Sequence, residues 1–248
     1  MAPPDAGHAM ELGKEMTGRF IGVGLGPGDP GLITRKAAQL IESAQVIAYP
    51  TLAGGDSFAR SIAAELIPAG AREIRMDVPM TPARAPAQAA YDQGATEIAA
   101  ALDAGEDVIC LCEGDPFFYG SFMYLYARLS TKYDTEIVPG VTSVTACAAR
   151  AAMPLVARNE VMTVLPGPLP EAELRAHLAA ADTLVIMKVG RHLPKLRALL
   201  DEAGLTDNAT YVERATLGAE VIRPLAQAPE TAPYFSMILI AKGADPWL

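Results

Sequence analysis

Short apolar runs rich in β-branched residues alternate with helical patterns along this chain, and this alternation restricts the fold more than any other feature. The runs "VIAYP" (46–50) and "VICLC" (108–112) are two examples, and each precedes a segment with helical spacing. Strands that alternate with helices are typical of α/β folds with a largely parallel sheet. The sequence therefore predicts an α/β protein with mainly parallel or mixed sheets.

The pattern also locates the individual elements and a domain boundary. The predicted strands are at 20–23, 46–50, 72–80, 106–112, 136–138, 160–165, 183–189, 209–214 and 235–243. One predicted helix begins at Pro30, and a second lies within 51–69. Five more are predicted at 88–102, 117–129, 143–153, 171–181 and 193–203. Proline-containing turns surround the strand at 160–165, and such breaks mark linkers. We therefore expect a loose tail (1–17), an N-terminal α/β domain (18–155) and a C-terminal α/β domain (156–248).

Charge and composition narrow the possible partners. The formal net charge is −9, which does not favour nucleic acid or an anionic membrane as a partner. No apolar run approaches the roughly 18 residues of a membrane span, and the first seventeen residues lack the core of a signal peptide. The odd count of three cysteines fits a reducing cytoplasm. Cys110 and Cys112 have no suitably spaced partners for zinc, so no metal site is expected.

The glycine-rich segment "GVGLGPGDPG" (22–31) formally matches a dinucleotide-binding loop. Such a loop needs free N–H groups at a helix start and an acidic residue about 20 residues further on. Pro27 and Pro30 remove two of the N–H donors, and the second strand ends at Pro50 without a carboxylate. These observations disfavour an NAD-dependent oxidoreductase, which remains one alternative.

Three loops in a fixed order carry a family resemblance. They are "GLGPGDPGLIT" after the first strand, "CEGDPFFYG" after the strand at 106–112, and "VPGVTSVTACAA" after the next strand. Together they resemble the tetrapyrrole methylase family, which transfers methyl groups from S-adenosylmethionine. The segments "YGSFMYLYARL" and "PLVARNEVMTVLPG" resemble the corresponding segments of those family members that methylate carbon 20 of precorrin-2 in cobalamin synthesis. The resemblance implies two α/β domains with a cleft between them, and a homodimer.

The resemblance also implies which residues bind the cofactor. Glycine allows close approach, and an acid suits the ammonium and sulfonium charges of S-adenosylmethionine. By position, the residues implied to bind S-adenosylmethionine, or its product S-adenosylhomocysteine, are Pro27, Gly114, Asp115, Phe118, Thr142, Ser143, Met187, Ala215, Phe235 and Ser236. Pro27 is expected to line the cleft from the first loop.

The implied chemistry leaves the catalytic residues open. The meso carbon of the reduced macrocycle is already nucleophilic, so the protein mainly aligns carbon and methyl, which can supply roughly 7–11 kcal/mol. A proton must then leave carbon 20, and the candidate bases are Glu113, Asp115, Tyr119 and Glu213. The eight substrate carboxylates require cationic side chains. The candidates in or beside predicted loops are Arg84, Arg158, Lys188, Arg191 and Arg214.

Two further alternatives remain open at this stage. The substrate could already carry cobalt, because nothing in the chain reports on the metal content of the ring. The chain could also be a tetrapyrrole-binding protein without catalytic activity.

Overall fold

The computed structural model describes residues 17–52, 55–79 and 84–242, with the side chains of Leu52 and Arg84 outside that description. The predicted N-terminal tail therefore lies outside the described residues, apart from Thr17. The described chain divides into two compact units. The first contains residues 17–25 and Thr34–Pro139, and the second contains Gly26–Ile33 and residues 140–242.

The first unit is built on a parallel sheet. Its strands are β1 (Phe20–Gly24), β2 (Val46–Leu52), β3 (Arg72–Val78), β4 (Val108–Cys112) and β5 (Thr135–Val138). They are arranged in the order β3-β2-β4-β1-β5, and every neighbouring pair is parallel. β1 and β4 are buried along their whole length, as expected for strands covered on both faces.

Four α-helices accompany this sheet in the described residues. They are α1 (Arg35–Glu42), α2 (Phe58–Ile62), α3 (Arg84–Asp103) and α4 (Phe122–Leu129). α3 begins four residues earlier than predicted, although Pro86 lies in its first turn. Proline is tolerated there because the N–H that it lacks would have no partner within the helix.

Two predicted helices at Gly-Asp-Pro sequences differ from the structure, the first in its continuation and the second in its start. The predicted helix from Pro30 is a single 3₁₀ turn, Pro30–Leu32, capped by Asp29. Ile33 is then extended, and Thr34 caps the separate helix α1 by accepting a hydrogen bond from the Ala37 N–H. The helix predicted from residue 117 begins instead at Phe122. The intervening residue Tyr119 has a left-handed φ of 57°, which ends any helical path from the preceding turn.

The second unit contains a mixed sheet and three described α-helices. Its strands are β6 (Met162–Pro166), β7 (Thr183–Met187), β8 (Ala209–Glu213), β9 (Val221–Pro224) and β10 (Ser236–Ala241), and its helices are α5 (Ser143–Arg150), α6 (Glu171–Ala180) and α7 (Leu193–Glu202). The strand order is β6-β7-β10-β8-β9, and only the β6–β7 pair is parallel. The predicted α/β class with parallel and mixed sheets is thus confirmed. The domain boundary expected at 155–156 lies between β5 and β6, and it stays a prediction.

Each unit has its own apolar core. In the first, the faces of β1, β2 and β4 pack against α3 and α4, and in the second, β7, β8 and β10 pack against α6 and α7. In the part of the chain that the structure describes, no helix is long and apolar enough to cross a membrane.

Gly22, in the middle of β1, lies directly beneath the aromatic ring of Phe122. A Cβ atom added at Gly22 would lie 2.5–2.7 Å from three ring carbons of Phe122. The same ring stacks on Phe20, with 5.0 Å between the ring centroids. The first glycine of the glycine-rich segment therefore makes room for a core side chain from α4.

We expect Gly22→Ala to lower the free energy of unfolding by about 1–3 kcal/mol, because the added methyl group overpacks the core. Gly70→Ala is the matched control, since nothing lies within 4 Å of a Cβ at that position. Chemical denaturation of both variants measures the difference, and Phe122→Leu in the Gly22→Ala background should recover part of the loss. Equal stability of the two glycine variants would contradict this packing role.

Candidate functional site

One edge of the second sheet gathers most of the residues predicted to bind a ligand in this unit. β10 runs antiparallel to both β7 and β8, so its first residues lie beside the last residues of those strands. Met237 pairs with Met187, and Ser236 pairs with Glu213. We call this edge the sheet-edge site, and it comprises Met187, Lys188, Glu213, Arg214, Ala215, Phe235 and Ser236.

The backbone of the sheet-edge site is strained at several non-glycine residues. Lys188, Arg214 and Thr216 have φ values of 57°, 48° and 71°. A left-handed conformation at a non-glycine residue costs on the order of 1–3 kcal/mol, and such residues cluster at functional sites. Two of the three directly follow the ends of β7 and β8. The strain therefore falls where sequence similarity predicts ligand contacts.

Ser236 and Phe235 fix the loops of this edge. The Ser236 hydroxyl donates to the Pro233 carbonyl at 2.7 Å and accepts from the Gly190 N–H at 3.3 Å. The Arg214 N–H donates to the Phe235 carbonyl at 2.9 Å. Ser236 is buried, whereas Phe235 is 40% exposed. The serine therefore acts as a structural anchor, and the phenylalanine ring remains accessible to a ligand.

Glu213, one of the candidate bases, is already engaged within the protein. Its carboxylate accepts a hydrogen bond from the buried Tyr211 hydroxyl at 2.9 Å and forms an ion pair with Arg214. Burial raises the pKa of Tyr211, and the hydrogen bond to Glu213 raises it further. A carboxylate that holds two internal donors is poorly placed to accept a substrate proton.

The beginning of α5 and the first loop belong to the same unit. Thr142 caps α5, since its hydroxyl accepts a hydrogen bond from the Thr145 N–H at 3.4 Å, and Ser143 is the first helical residue. Pro27 is partly exposed between Gly26 and Gly28, whose φ values of 77° and 146° lie in the region that favours glycine. The loop conformation thus explains these two glycines without a phosphate.

In the first unit, the predicted cofactor loop follows β4 and is a tight turn. Gly114 has a φ of 64°. The Oδ1 atom of Asp115 accepts hydrogen bonds from the N–H groups of Phe117 at 2.9 Å and Phe118 at 3.1 Å. Tyr119 is 42% exposed and its ring packs edge-on against Phe118. Asp115 therefore shapes this loop, which is a role that sequence reasoning did not assign to it.

Glu113 directly follows β4 and precedes this turn. The residue has an exposed surface, but burial of its carboxyl group by the surrounding protein raises the pKa. A hydrogen bond from the Ala59 backbone lowers the pKa by a smaller amount. A carboxyl group with a raised pKa is a common property of catalytic acids and bases.

The five cationic candidates occupy different places. Arg191 lies in the 3₁₀ turn Gly190–His192 that follows β7, next to the sheet-edge site with Lys188 and Arg214. Arg158 precedes β6, which is parallel to β7, so it lies at the opposite edge of this sheet. Arg84 is the first residue of α3, and its side chain lies outside the description.

The buried cysteines occupy core positions. Cys110 and Cys112 belong to the core of the first unit. Burial raises the pKa of Cys147 in α5 to about 12, which keeps this thiol protonated. Among the described residues, no group of three His, Cys, Asp or Glu side chains is arranged to hold a metal ion.

Sequence reasoning missed three residues near the sheet-edge site. Arg150, Thr216 and Glu220 form a hydrogen-bonded network within the second unit. The first and last are 70 positions apart, and "TLGAE" has no distinctive pattern that would have revealed their pairing.

A two-sheet α/β protein with strained, ligand-accessible loops at strand ends is an enzyme-like scaffold, and sequence comparison specifies which kind. A family model described as Tetrapyrrole (Corrin/Porphyrin) Methylases matches residues 19–229. The chain belongs to this family.

Individual relatives are similar along almost their whole length. A Precorrin-2 C(20)-methyltransferase from Sinorhizobium sp is 42% identical over 92% of this chain and 97% of the relative. A Cobalt-precorrin-2 C(20)-methyltransferase from Salmonella typhimurium is 35% identical over 92% of this chain and 98% of the relative.

Solved structures show the same architecture. The cobalt precorrin-4 methyltransferase CbiF superimposes with a TM-score of 0.70 at 25% identity, covering 90% of this chain and 94% of CbiF. A uroporphyrin-III C-methyltransferase from Thermus thermophilus, solved in complex with S-adenosylhomocysteine, gives a TM-score of 0.65 at 25% identity. That comparison covers 90% of this chain and 97% of the Thermus protein.

Proposed function

We propose that this protein is an S-adenosylmethionine-dependent methyltransferase that methylates carbon 20 of precorrin-2 to give precorrin-3A in cobalamin biosynthesis. The observation that carries the proposal is the 42% identity to a relative with this named activity, across 92% of this chain and 97% of the relative. The family's match from residue 19 to residue 229 supports the same class of reaction.

The residues at the sheet-edge site suit S-adenosylmethionine, which supplies an electrophilic methyl group when it is bound. Met187 and Ala215 are almost fully buried apolar residues at the ends of β7 and β8, and the exposed ring of Phe235 lies at the start of β10. Apolar walls with a few backbone polar groups are typical of sites for small molecules. We assign these residues to the adenosine part, with Ser236, Thr142 and Ser143 shaping the adjoining backbone and Pro27 contributing from the first loop.

The loop after β4 supplies acidic groups. Gly114 allows close approach of a ligand to the backbone, and we assign Asp115 and Phe118 to the methionine end, where an ammonium group favours a carboxylate. We assign Glu113 as the group that accepts the proton released from carbon 20, because Glu213 and Asp115 already hold internal donors. Tyr119 remains a neighbouring alternative.

Cationic side chains would bind the acidic substrate. We assign Lys188, Arg191 and Arg214 to this role because all three lie at or next to the sheet-edge site. Arg84 and Arg158 remain proposals on sequence similarity alone. Family similarity also leads us to expect a cytoplasmic homodimer.

The cobalt-containing substrate is the second candidate, because the Salmonella relative that bears that name is 35% identical over a similar span. An NAD-dependent oxidoreductase is disfavoured, since the ring of Phe122 occupies the space next to Gly22 that a bound dinucleotide would need.

The function is tested with purified protein, S-adenosylmethionine and either precorrin-2 or cobalt-precorrin-2. We expect precorrin-2 to gain one methyl group by mass spectrometry, and calorimetry to detect binding of S-adenosylhomocysteine but not of NAD. Turnover of the cobalt form alone would move the assignment to that substrate. Binding of NAD without S-adenosylhomocysteine would reject the methyltransferase, and substrate binding without methylation would indicate a non-catalytic protein.

Asp115→Asn separates the charge of this residue from its role in the turn. Asparagine keeps the oxygen that accepts from Phe117 and Phe118 but loses the negative charge. We expect it to weaken S-adenosylhomocysteine binding by about tenfold or more, since hydrogen bonds to charged groups are worth about 1.5–3 kcal/mol. Asp115→Ala should weaken binding further, whereas the exposed control Asp207→Asn should not change it. Unaltered binding by the asparagine variant would restrict Asp115 to shaping the loop.

Glu113→Gln tests the proposed base. Activity requires the ionised carboxylate, so wild-type kcat should fall as the pH drops through the raised pKa of Glu113. The glutamine variant should lose roughly 10²–10⁴ in kcat, and Glu65→Gln is an exposed control in the same unit. The free energy of unfolding should change with pH in the opposite direction to kcat, falling as the pH rises. The carboxyl group binds protons more tightly in the folded than in the unfolded state, so its ionisation destabilises the fold above its ordinary pKa.

Thermal denaturation near neutral pH should therefore show a glutamine variant at least as stable as the wild type. A variant with normal kcat and an unchanged acidic limb of the pH profile would exclude Glu113 as the base.

A further inference from the structure

A charged network beside the sheet-edge site joins three segments that are distant in sequence. The side chain of Glu220 is only 15% exposed. Its carboxylate accepts a two-pronged interaction from Arg150 at the end of α5, with 2.7 Å from Nη2 to Oε1 and 2.9 Å from Nε to Oε2. The Oε2 atom also accepts the Thr216 N–H at 2.7 Å. One carboxylate therefore connects α5 to the loop that follows β8.

The same carboxylate holds the strained part of that loop. Leu217 donates its N–H to the Arg214 carbonyl, and Glu220 donates its N–H to the Leu217 carbonyl, both at 3.0 Å. Two consecutive turns thus fold the chain back so that Glu220 reaches Thr216, whose φ is 71°. A strained residue persists only where its surroundings over-determine it. The hydrogen bond that the Glu220 carboxylate accepts from the Thr216 N–H supplies that constraint.

The network extends to the first loop and faces open space. The Thr216 hydroxyl accepts the Asp29 N–H at 3.2 Å. A cavity of about 600 Å³ lies against the network, and its walls include Asp29, Leu32, Thr145, Arg150, Leu217 and Glu220. The hydrogen bond from Arg150 is the main cause that lowers the pKa of Glu220. The carboxylate therefore stays charged at neutral pH, and charge-assisted bonds are stronger than neutral ones.

We propose that Glu220, held by Arg150, is a positioning residue for methyl transfer: it fixes the turn that presents Arg214 and Ala215 at the sheet-edge site. The inference rests on the proposed function, because those two residues are the ones assigned to substrate and cofactor. Glu220 acts through the Thr216 backbone and the turn, without touching the reacting atoms.

The experiment compares Glu220→Ala, Glu220→Gln and Arg150→Ala in the full-length protein, with S-adenosylhomocysteine as the calorimetric probe. Glu220→Ala removes the acceptor of the Thr216 N–H, and we expect about a tenfold rise in the Kd of the probe and the KM of S-adenosylmethionine, with kcat within about threefold of wild type. Glu220→Gln keeps an oxygen acceptor and should recover most of the affinity. Glu202→Ala is the matched control, because Glu202 forms an ion pair with Arg175 on the same unit.

The outcomes separate this inference from the proposed function. If the wild-type protein neither binds the probe nor methylates precorrin-2, the proposed function itself is rejected. A normal wild type together with an unchanged Kd in folded Glu220→Ala overturns only the positioning role. If Glu220→Ala does not fold, Arg150→Ala decides, since its side chain is mostly exposed. It should raise the Kd by about threefold and should have no further effect in the Glu220→Gln background, and an unchanged Kd would overturn the proposal.

Discussion

The left-handed backbone at the ends of β7 and β8 is the constraint on which the sheet-edge site depends. Lys188 and Arg214 are the first residues after these strands and have φ values of 57° and 48°. The backbone therefore turns away from the sheet directly after each strand. The antiparallel pairing with β10 then places Phe235 beside both turns. Strain at bulky residues is maintained where the surroundings over-determine the backbone, and here the central strands and the hydrogen bonds of the adjoining loops do so. The rigid sheet therefore determines which side chains reach a ligand.

Acidic residues near the strand ends differ in how the protein uses them. Glu213 holds Tyr211 and Arg214, and Asp115 holds two backbone N–H groups, so both carboxylates stabilise the local structure. Glu113 has a raised pKa instead, which means that the folded protein bears a cost for its ionised form. A raised pKa suits a carboxylate to accept a proton near neutral pH. Chemical type alone does not distinguish these residues, because only their hydrogen bonds and burial differ.

The strands were predictable from sequence to a greater extent than the loops. β1, β4 and β7 are continuous apolar runs, and a buried strand of this kind has few other interpretations. The short strand β9 ("VIRP") was missed because it has no clear alternation. The starts of α1 and α4 were wrong because Gly-Asp-Pro predicts a cap, and the sequence does not show whether the turn continues into a helix. The network around Glu220 depends on contacts between distant segments, which one sequence cannot reveal.

The glycine-rich segment shows why a short motif is ambiguous until packing resolves it. In a dinucleotide-binding fold the first strand lies between the second and the fourth, whereas here β4 separates β1 from β2 and β1 pairs with β4 and β5. The strand order of the described sheet therefore differs from that of the dinucleotide-binding fold. Gly22 accommodates Phe122, and Gly26 and Gly28 adopt left-handed turns. Each of these three glycines has a steric or conformational reason, and none of these reasons requires a phosphate.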